Sequence, residues 1–258
     1  MKFRFELTEQ ITEFISNASL TEISIGCSDS QVVKIEKENK CYFLKIAKAG
    51  ILTSEYEKLK WLEGKIKVPK IIIYENENEI EYLVTEALLG EMVCSDYYLE
   101  NPMLGIPIVV EAFKDIYKVD ISDCPFNVTL DYKLELVKNN VFNNLLDINI
   151  ISEEVLNEFG SPENIYNYLV ENRFEEELVF SHGDVSLPNL FTNNNSFSGF
   201  IDVGECGIAD KWFDIAIAVK SIKRNFGDDA VIEFYKQLGI VEDSFKVNYY
   251  LLLMELYL

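Results

Sequence analysis

Between residues 20 and 47, apolar and polar positions alternate about a glycine-containing turn. Ile23 and Ile25 precede Gly26-Cys27-Ser28-Asp29-Ser30, and Val32, Val33, Ile35 and Tyr42-Phe43-Leu44-Lys45-Ile46 follow it. A period of two buries one face of each strand, so this stretch predicts an antiparallel sheet. Residues 54–63 have helical spacing, with Thr53 or Ser54 as the cap and Gly64 as the stop. Val68-Pro69 leads into the apolar run 71–74. The Glu-Asn repeat at 75–79 then turns the chain into 80–87, a hairpin that completes the sheet. From about residue 105 the period is mainly helical, over 105–119, 130–143, 162–171, 211–224, 229–238 and 244–257. Short strands interrupt it at 178–203, turned by Asn193-Asn194-Asn195. The expected fold is α+β, a sheet-rich lobe over 1–88 followed by a larger, mainly helical lobe over 89–258.

With 258 residues, 48% of them apolar, the chain can bury a substantial core, and general disorder is excluded. Met1-Lys2-Phe3-Arg4-Phe5-Glu6 lacks the continuous apolar stretch of a signal peptide, and no segment reaches the length of a membrane span. A cytoplasmic protein without membrane contact is expected. Cys27, Cys41, Cys94, Cys124 and Cys206 are odd in number and follow neither metal-ligand nor redox-pair spacing, so they are expected reduced and buried. The net charge of -21 is unevenly divided: residues 1–90 hold 15 acids and 12 bases, residues 91–258 hold 29 acids and 11 bases. A near-neutral first part can accept an anionic nucleotide. The acidic remainder repels nucleic acid and attracts polycations. Nothing implies a protein partner.

The only histidine opens the string Ser181-His182-Gly183-Asp184-Val185-Ser186-Leu187-Pro188-Asn189, and Asp202-Val203-Gly204 begins thirteen residues after Asn189. Phosphoryl transfer uses a base Asp, a metal-holding Asn five positions on, and a second metal-holding Asp after a short hairpin. Asp184 and Asn189 have that spacing, and Asp202 follows the apolar run 197–201. Asp184 suits the general base, and Asn189 and Asp202 offer the hard oxygens that Mg2+ prefers. Backbone capping in a turn accounts for any one of the three, but not for the set. His182 is expected to be structural, since Asp184 already fills the base role. Asp214, beside Trp212 and Phe213, is expected to accept hydrogen bonds from the catalytic loop. Lys45 lies on a strand among apolar neighbours, and Glu55 shares a helix face with Leu59 and Leu62. A lysine held by a carboxylate can grip the α- and β-phosphates of a nucleotide. Glu57, on the Trp61 face, is the rival partner. The 26–30 turn offers backbone N–H groups to phosphate.

Phe180-Ser181-His182-Gly183-Asp184, Gly199-Phe200-Ile201-Asp202-Val203-Gly204, Ala209-Asp210-Lys211-Trp212-Phe213-Asp214-Ile215-Ala216 and Trp61-Leu62-Glu63-Gly64-Lys65 together resemble the aminoglycoside 3'-phosphotransferases, over nearly the whole chain. The resemblance implies a protein-kinase-like fold, use of ATP and Mg2+, and phosphorylation of a sugar hydroxyl on polycationic aminoglycoside antibiotics, which gives resistance. By position it implies Asp184 as base, Asn189 and Asp202 as magnesium ligands, and Lys45 with Glu55 on the phosphates. It also implies Ser28 in the phosphate loop, Phe43 stacked on adenine, and the backbone of Thr85 to Ala87 against the base edge.

The substrate side departs further from the family. Glu154 falls where the family has an acid in its antibiotic-binding loop, but Ile151 stands where another acid is expected. Glu255 and the aromatic Tyr257 are kept, whereas Met254 replaces an acid and Leu258 is added. Glu205 stands where an Arg commonly follows the Asp-x-Gly, and Ile208 replaces a second Arg. Glu154, Glu205, Glu255 and Tyr257 are therefore the expected substrate contacts. Three readings follow: an aminoglycoside phosphotransferase acting at the 3'-hydroxyl, a related kinase for a cationic alcohol such as choline, and a non-catalytic nucleotide-binding protein of the same fold.

Overall fold

The computed structural model describes residues 2–23 and 30–257. By internal contacts the chain divides into two compact units. Unit 1 comprises Met1–Glu91, Phe191–Asn194 and Ser198–Gly204; unit 2 comprises Met92–Leu190, Asn195–Phe197 and Glu205–Leu258.

Unit 1 begins with α1 (Glu9–Ile15), whose N-cap Thr8 accepts a hydrogen bond from the Ile11 N–H. The strands β1 (Ser19–Ile23), β2 (Gln31–Lys37), β3 (Lys40–Lys48), β4 (Ile71–Glu77) and β5 (Ile80–Glu86) form an antiparallel sheet of order β1-β2-β3-β5-β4. The turns at Glu38-Asn39 and Asn78-Glu79 have φ from +52° to +63°, the conformation that matches a tight hairpin to strand twist. Val33, Ile35, Leu44, Ile46, Ile73 and Val84 bury one sheet face with Ile11 of α1. Because side chains alternate, Phe43 and Lys45 stand on the other face, Phe43 opposite Thr85 and Lys45 opposite Leu83.

Helix α2 (Thr53–Leu62) starts as its spacing predicts, but neither Thr53 nor Ser54 caps it. The N-cap is Leu52, and it makes no side-chain cap. The carboxylate of Glu81, on β5, accepts the Leu52 N–H at 2.6 Å and the Thr53 N–H at 3.2 Å, and receives the hydroxyls of Thr53 and Tyr74. An anion at a helix N-terminus meets the positive end of the peptide dipoles and satisfies N–H groups that have no partner within the helix.

Strands β6 (Glu91–Met92), β8 (Leu190–Asn193) and β9 (Ser196–Phe200) form a sheet of order β6-β8-β9, with residues assigned to both units. The β8–β9 turn is at Asn194-Asn195, with φ of +52° and +58°. In unit 2, β7 (Leu178–Ser181) pairs antiparallel with β10 (Gly207–Asp210). Its helices are α3 (Asp96–Glu100), α4 (Pro102–Ile116), α5 (Leu130–Phe142), α6 (Glu153–Phe159), α7 (Pro162–Glu171), α8 (Lys211–Phe226), α9 (Asp228–Leu238) and α10 (Ser244–Tyr257). α4 begins earlier than its apolar period because Pro102 occupies the first turn, where its missing N–H is no loss. α6 was not expected from periodicity, since it buries no residue; Ser152 caps it and Gly160, at φ +79°, ends it.

The core of unit 2 is aromatic. Phe113 meets Phe234 at 5.4 Å and Phe213 meets Tyr250 at 5.5 Å between ring centroids, all four nearly inaccessible. Burying a side chain of this kind contributes roughly 1.5–3 kcal/mol, which is what fixes α4, α8, α9 and α10 against one another. The expectation that the cysteines are buried is corrected. Among the described residues Cys206 is buried, whereas Cys41, Cys94 and Cys124 are half-buried, and all four are free thiols. No helix among the described residues is long and apolar enough to cross a membrane.

Candidate active site

In unit 2, β7 delivers the chain into the loop 182–189, and the start of this loop is held chiefly by one side chain. Asp214, buried in the first turn of α8, accepts the His182 N–H at 2.8 Å on one oxygen and the Gly183 N–H at 3.0 Å on the other. Burial pushes the Asp214 carboxyl up to about 6; the backbone N–H bonds, the Ser181 hydroxyl and the Lys133 ammonium pull in the opposite direction. Lys133 of α5 is itself buried, its Nζ 4.0 Å from the Phe213 ring centroid and 4.8 Å from that of Tyr257, a cation–π arrangement. His182 is fully buried, and its Nδ1 accepts the Asp184 N–H at 3.2 Å. The histidine thus shapes the loop. Gly183 has φ +89°, and a Cβ there would fall 2.4 Å from the Glu205 carbonyl, so only glycine fits. The far end of the loop is tied by the Leu187 N–H to the Ser221 hydroxyl at 2.9 Å.

This framework turns Asp184 and Asn189 toward each other. The Asn189 amide nitrogen donates to Asp184 Oδ2 at 2.7 Å and to the Asp184 main-chain oxygen at 3.1 Å. Those bonds use the nitrogen, so the amide oxygen of Asn189 is not committed to them.

In unit 1, Lys45 Nζ lies 2.8 Å from both carboxylate oxygens of Glu55. The choice between Glu55 and Glu57 is thereby decided by helix phase: Glu55 shares the face that α2 turns to β3. Asp202 follows β9, is exposed, and has φ +59°, a left-handed conformation uncommon outside glycine and found at functional turns. Phe43 and Thr85 are half-buried on the Lys45 face of the sheet. The Ala87 N–H is donated to Cys41 O and the Glu86 N–H to Lys70 O, each at 2.9 Å. A base edge would therefore use the Ala87 N–H only by sharing or displacing the Cys41 bond. Ser28 lies outside the described residues.

The expected substrate residues belong to unit 2. Glu154 is exposed on α6. Glu255 of α10 accepts the Ser152 N–H at 2.8 Å, tying the start of α6 to α10. Tyr257 donates its hydroxyl to Glu205 at 3.0 Å; burial first, and then the Glu205 charge, raise its pKa. Ile151, standing where an acid was expected, is buried, so it anchors the loop by packing. Sequence reading passed over Glu81 and Lys133. An acid within a strand and a lysine within a helix read as solvated positions, and only their burial marks them.

Among the described residues no group of three or more His, Cys, Asp or Glu is gathered to hold a metal. The amide oxygen of Asn189 in unit 2 and the exposed carboxylate of Asp202 in unit 1 are each of the hard oxygen type that magnesium takes.

Residues 19–246 match the profile of the phosphotransferase enzyme family. The chain is 33% identical to an aminoglycoside 3'-phosphotransferase of Enterococcus faecalis over 98% of its own length and 99% of the relative's. It is 36% identical to one from Campylobacter jejuni over 92% and 96%. A solved aminoglycoside phosphotransferase of Streptomyces rimosus, in complex with ADP and streptomycin, superposes with a TM-score of 0.77 at 20% identity, covering 96% of each chain. The fold, an antiparallel-sheet unit and a larger helical unit, is the protein-kinase-like fold of these enzymes.

Proposed function

The chain belongs to the phosphotransferase enzyme family, and from that premise we propose that it transfers the γ-phosphoryl group of ATP, with Mg2+, to the 3'-hydroxyl of aminoglycoside antibiotics. The observation that carries the substrate is the full-length similarity to relatives bearing that name, at 33% and 36% identity. ADP in the complex of the Streptomyces rimosus enzyme supports the nucleotide.

Asp184 orients the acceptor hydroxyl and takes its proton as the oxygen attacks phosphorus. Its carboxylate is held for this by the Asn189 amide, and the loop is kept in register by Asp214. Lys45, fixed by Glu55, holds the α- and β-phosphates. The Asn189 amide oxygen and the Asp202 carboxylate would hold magnesium, which when bound would supply positive charge to the phosphate oxygens. Glu154, Glu205 and Glu255 attract the ammonium groups of the antibiotic, and Tyr257 fixes Glu205. Most of the chain's negative charge lies after residue 90, which favours a polycationic acceptor.

The test is ADP release measured across a panel of aminoglycosides, choline and water, with phosphorus NMR of the product. Release dependent on aminoglycosides and a 3'-phosphate are expected. Release with choline alone would assign the chain to another cationic alcohol.

A further inference from the structure

Besides the half-buried Glu55, helix α2 carries a buried charge. Lys58 is 7% exposed, and its ammonium donates to the carbonyl of Gly204, two residues beyond Asp202. The Ser54 hydroxyl lies 3.5 Å from the same oxygen. Glu55 and Lys58 are three positions apart and so project from neighbouring points of one helix face. A buried ammonium is retained only where fixed acceptors replace its water, and here the acceptor belongs to the turn that presents Asp202. That turn needs holding, because Asp202 is in the left-handed region at φ +59°. Upstream it is fixed by the Phe200 N–H on Lys67 O at 2.9 Å, and within it Val203 is buried. Downstream, Lys58 reaches it, with the Ser54 hydroxyl at the edge of hydrogen-bonding range. The same face of the helix grips Lys45 through Glu55, and the helix itself is seated by Glu81.

We propose that Lys58 is a positioning residue for the metal-holding turn, tying the Gly204 carbonyl to the helix that fixes Lys45 so that the phosphate grip and the Asp202 carboxylate are set by one rigid element. The proposal rests on the reading of Asp202 as a magnesium ligand. It concerns a lysine that touches neither nucleotide nor metal, and its effect must therefore appear in the metal dependence of nucleotide binding.

The experiment is calorimetric titration of the full chain with ADP, with and without saturating magnesium, for the wild type, Lys58→Met and Lys58→Arg. Loss of a residue that orients a metal ligand costs roughly 10–100-fold in metal affinity. Lys58→Met is accordingly expected to abolish most of the gain in ADP affinity that magnesium confers, while metal-free ADP binding stays at the wild-type level. Lys58→Arg, whose guanidinium can still donate to Gly204 O, is expected to restore the gain. Should methionine prevent folding, Lys58→Gln provides the same comparison with a neutral polar group. Equal losses with and without magnesium, or a magnesium gain undiminished in the Met and Gln variants, would overturn the proposal. A wild type whose ADP affinity is indifferent to magnesium would instead sink the metal reading of Asp202, and the Lys58 proposal with it.

Discussion

Asn189 holds the carboxylate of Asp184 with its amide nitrogen, at 2.7 Å, across the short helical turn Leu187–Asn189. The same nitrogen reaches the Asp184 main-chain oxygen at 3.1 Å, so the carboxylate is fixed relative to its own backbone. In the proposed mechanism, orientation of the base and presentation of an oxygen to magnesium would be two ends of one amide.

Replacing Asp184 by Asn removes the acceptor of the hydroxyl proton and sets one amide against another. A fall in kcat of roughly 10²–10⁴-fold is expected, the range for losing a positioned general base, with ADP affinity little changed. Steady-state kinetics and calorimetry on the variant check this. Near-normal turnover would remove Asp184 from the base role.

The Lys45–Glu55 pair is partly sheltered, with side-chain exposures of 29% and 14%. Lys45→Ala should raise the KM for ATP, and Glu55→Ala should do so through the loosened lysine. In a double-mutant cycle, partners of one interaction show coupling of about 0.5–3 kcal/mol. Strict additivity in ATP KM would show that Glu55 does not act through Lys45.

Glu81 should matter to the nucleotide side without touching it. Burial raises its carboxyl, but the bonds from Thr53, Leu52 and Tyr74 outweigh that and hold it below the usual carboxylate range. A depressed carboxylate stabilises the fold above its unfolded pKa, and that stability is lost as pH falls through the folded value. Glu81→Ala should cost about 1–3 kcal/mol in urea unfolding at neutral pH, since the buried Leu52 N–H and the partly buried Thr53 N–H lose their acceptor. The loss should diminish toward acid pH and be accompanied by a raised KM for ATP. A variant as stable as wild type would show that α2 does not depend on this cap.

Asp214 gives the opposite pH dependence. Burial, opposed by the loop N–H groups, raises its carboxyl from 3.8 to about 6. A raised carboxylate contributes stability that is fully present below about pH 3.8 and is lost as pH rises through about 6. The stability of wild type relative to Asp214→Asn should decline on the order of 3 kcal/mol across that window and be flat above it. Denaturant unfolding of both proteins from pH 3.5 to 8 measures the difference. A difference independent of pH would show that Asp214 titrates normally.

Glu255→Gln is a clean charge test, because the Gln oxygen can still accept the Ser152 N–H. Together with Glu154→Gln it should raise the antibiotic KM at low salt and leave that for ATP nearly unchanged. The effect should shrink as salt rises, since screening already weakens the attraction. Wild-type antibiotic KM for both variants at low salt would show that these acids merely solvate the surface.

Much of the fold was legible because its signals are local. The alternation in β2 and β3, the asparagine turn at 194–195 and the α5, α7 and α10 boundaries follow from period and turn chemistry. Helices α1 and α6 escaped notice because each is seven residues long and presents too short an apolar seam, although Thr8 and Ser152 were readable as caps. At the candidate site, Asp184, Asn189 and Asp202 were named from spacing, Lys45 from its apolar strand together with that group, and Asp214 from its place beside Trp212 and Phe213. Lys58, Glu81 and Lys133 were not, because a charged residue in an amphipathic element has the same pattern whether its tip is in water or buried.

By itself the sequence determined which segments are strand or helix and singled out candidate residues for the chemistry, since spacing, period and turn preference act over a few residues. Tertiary structure alone decided that Glu81 rather than Thr53 or Ser54 caps α2, that Ile151 is an anchor, and that the hairpin segment leading to Asp202 belongs with unit 1. Each of these rests on a contact or a burial between residues far apart in the chain, for which no local pattern exists. Only the packing of one element against another brings such groups within hydrogen-bonding distance.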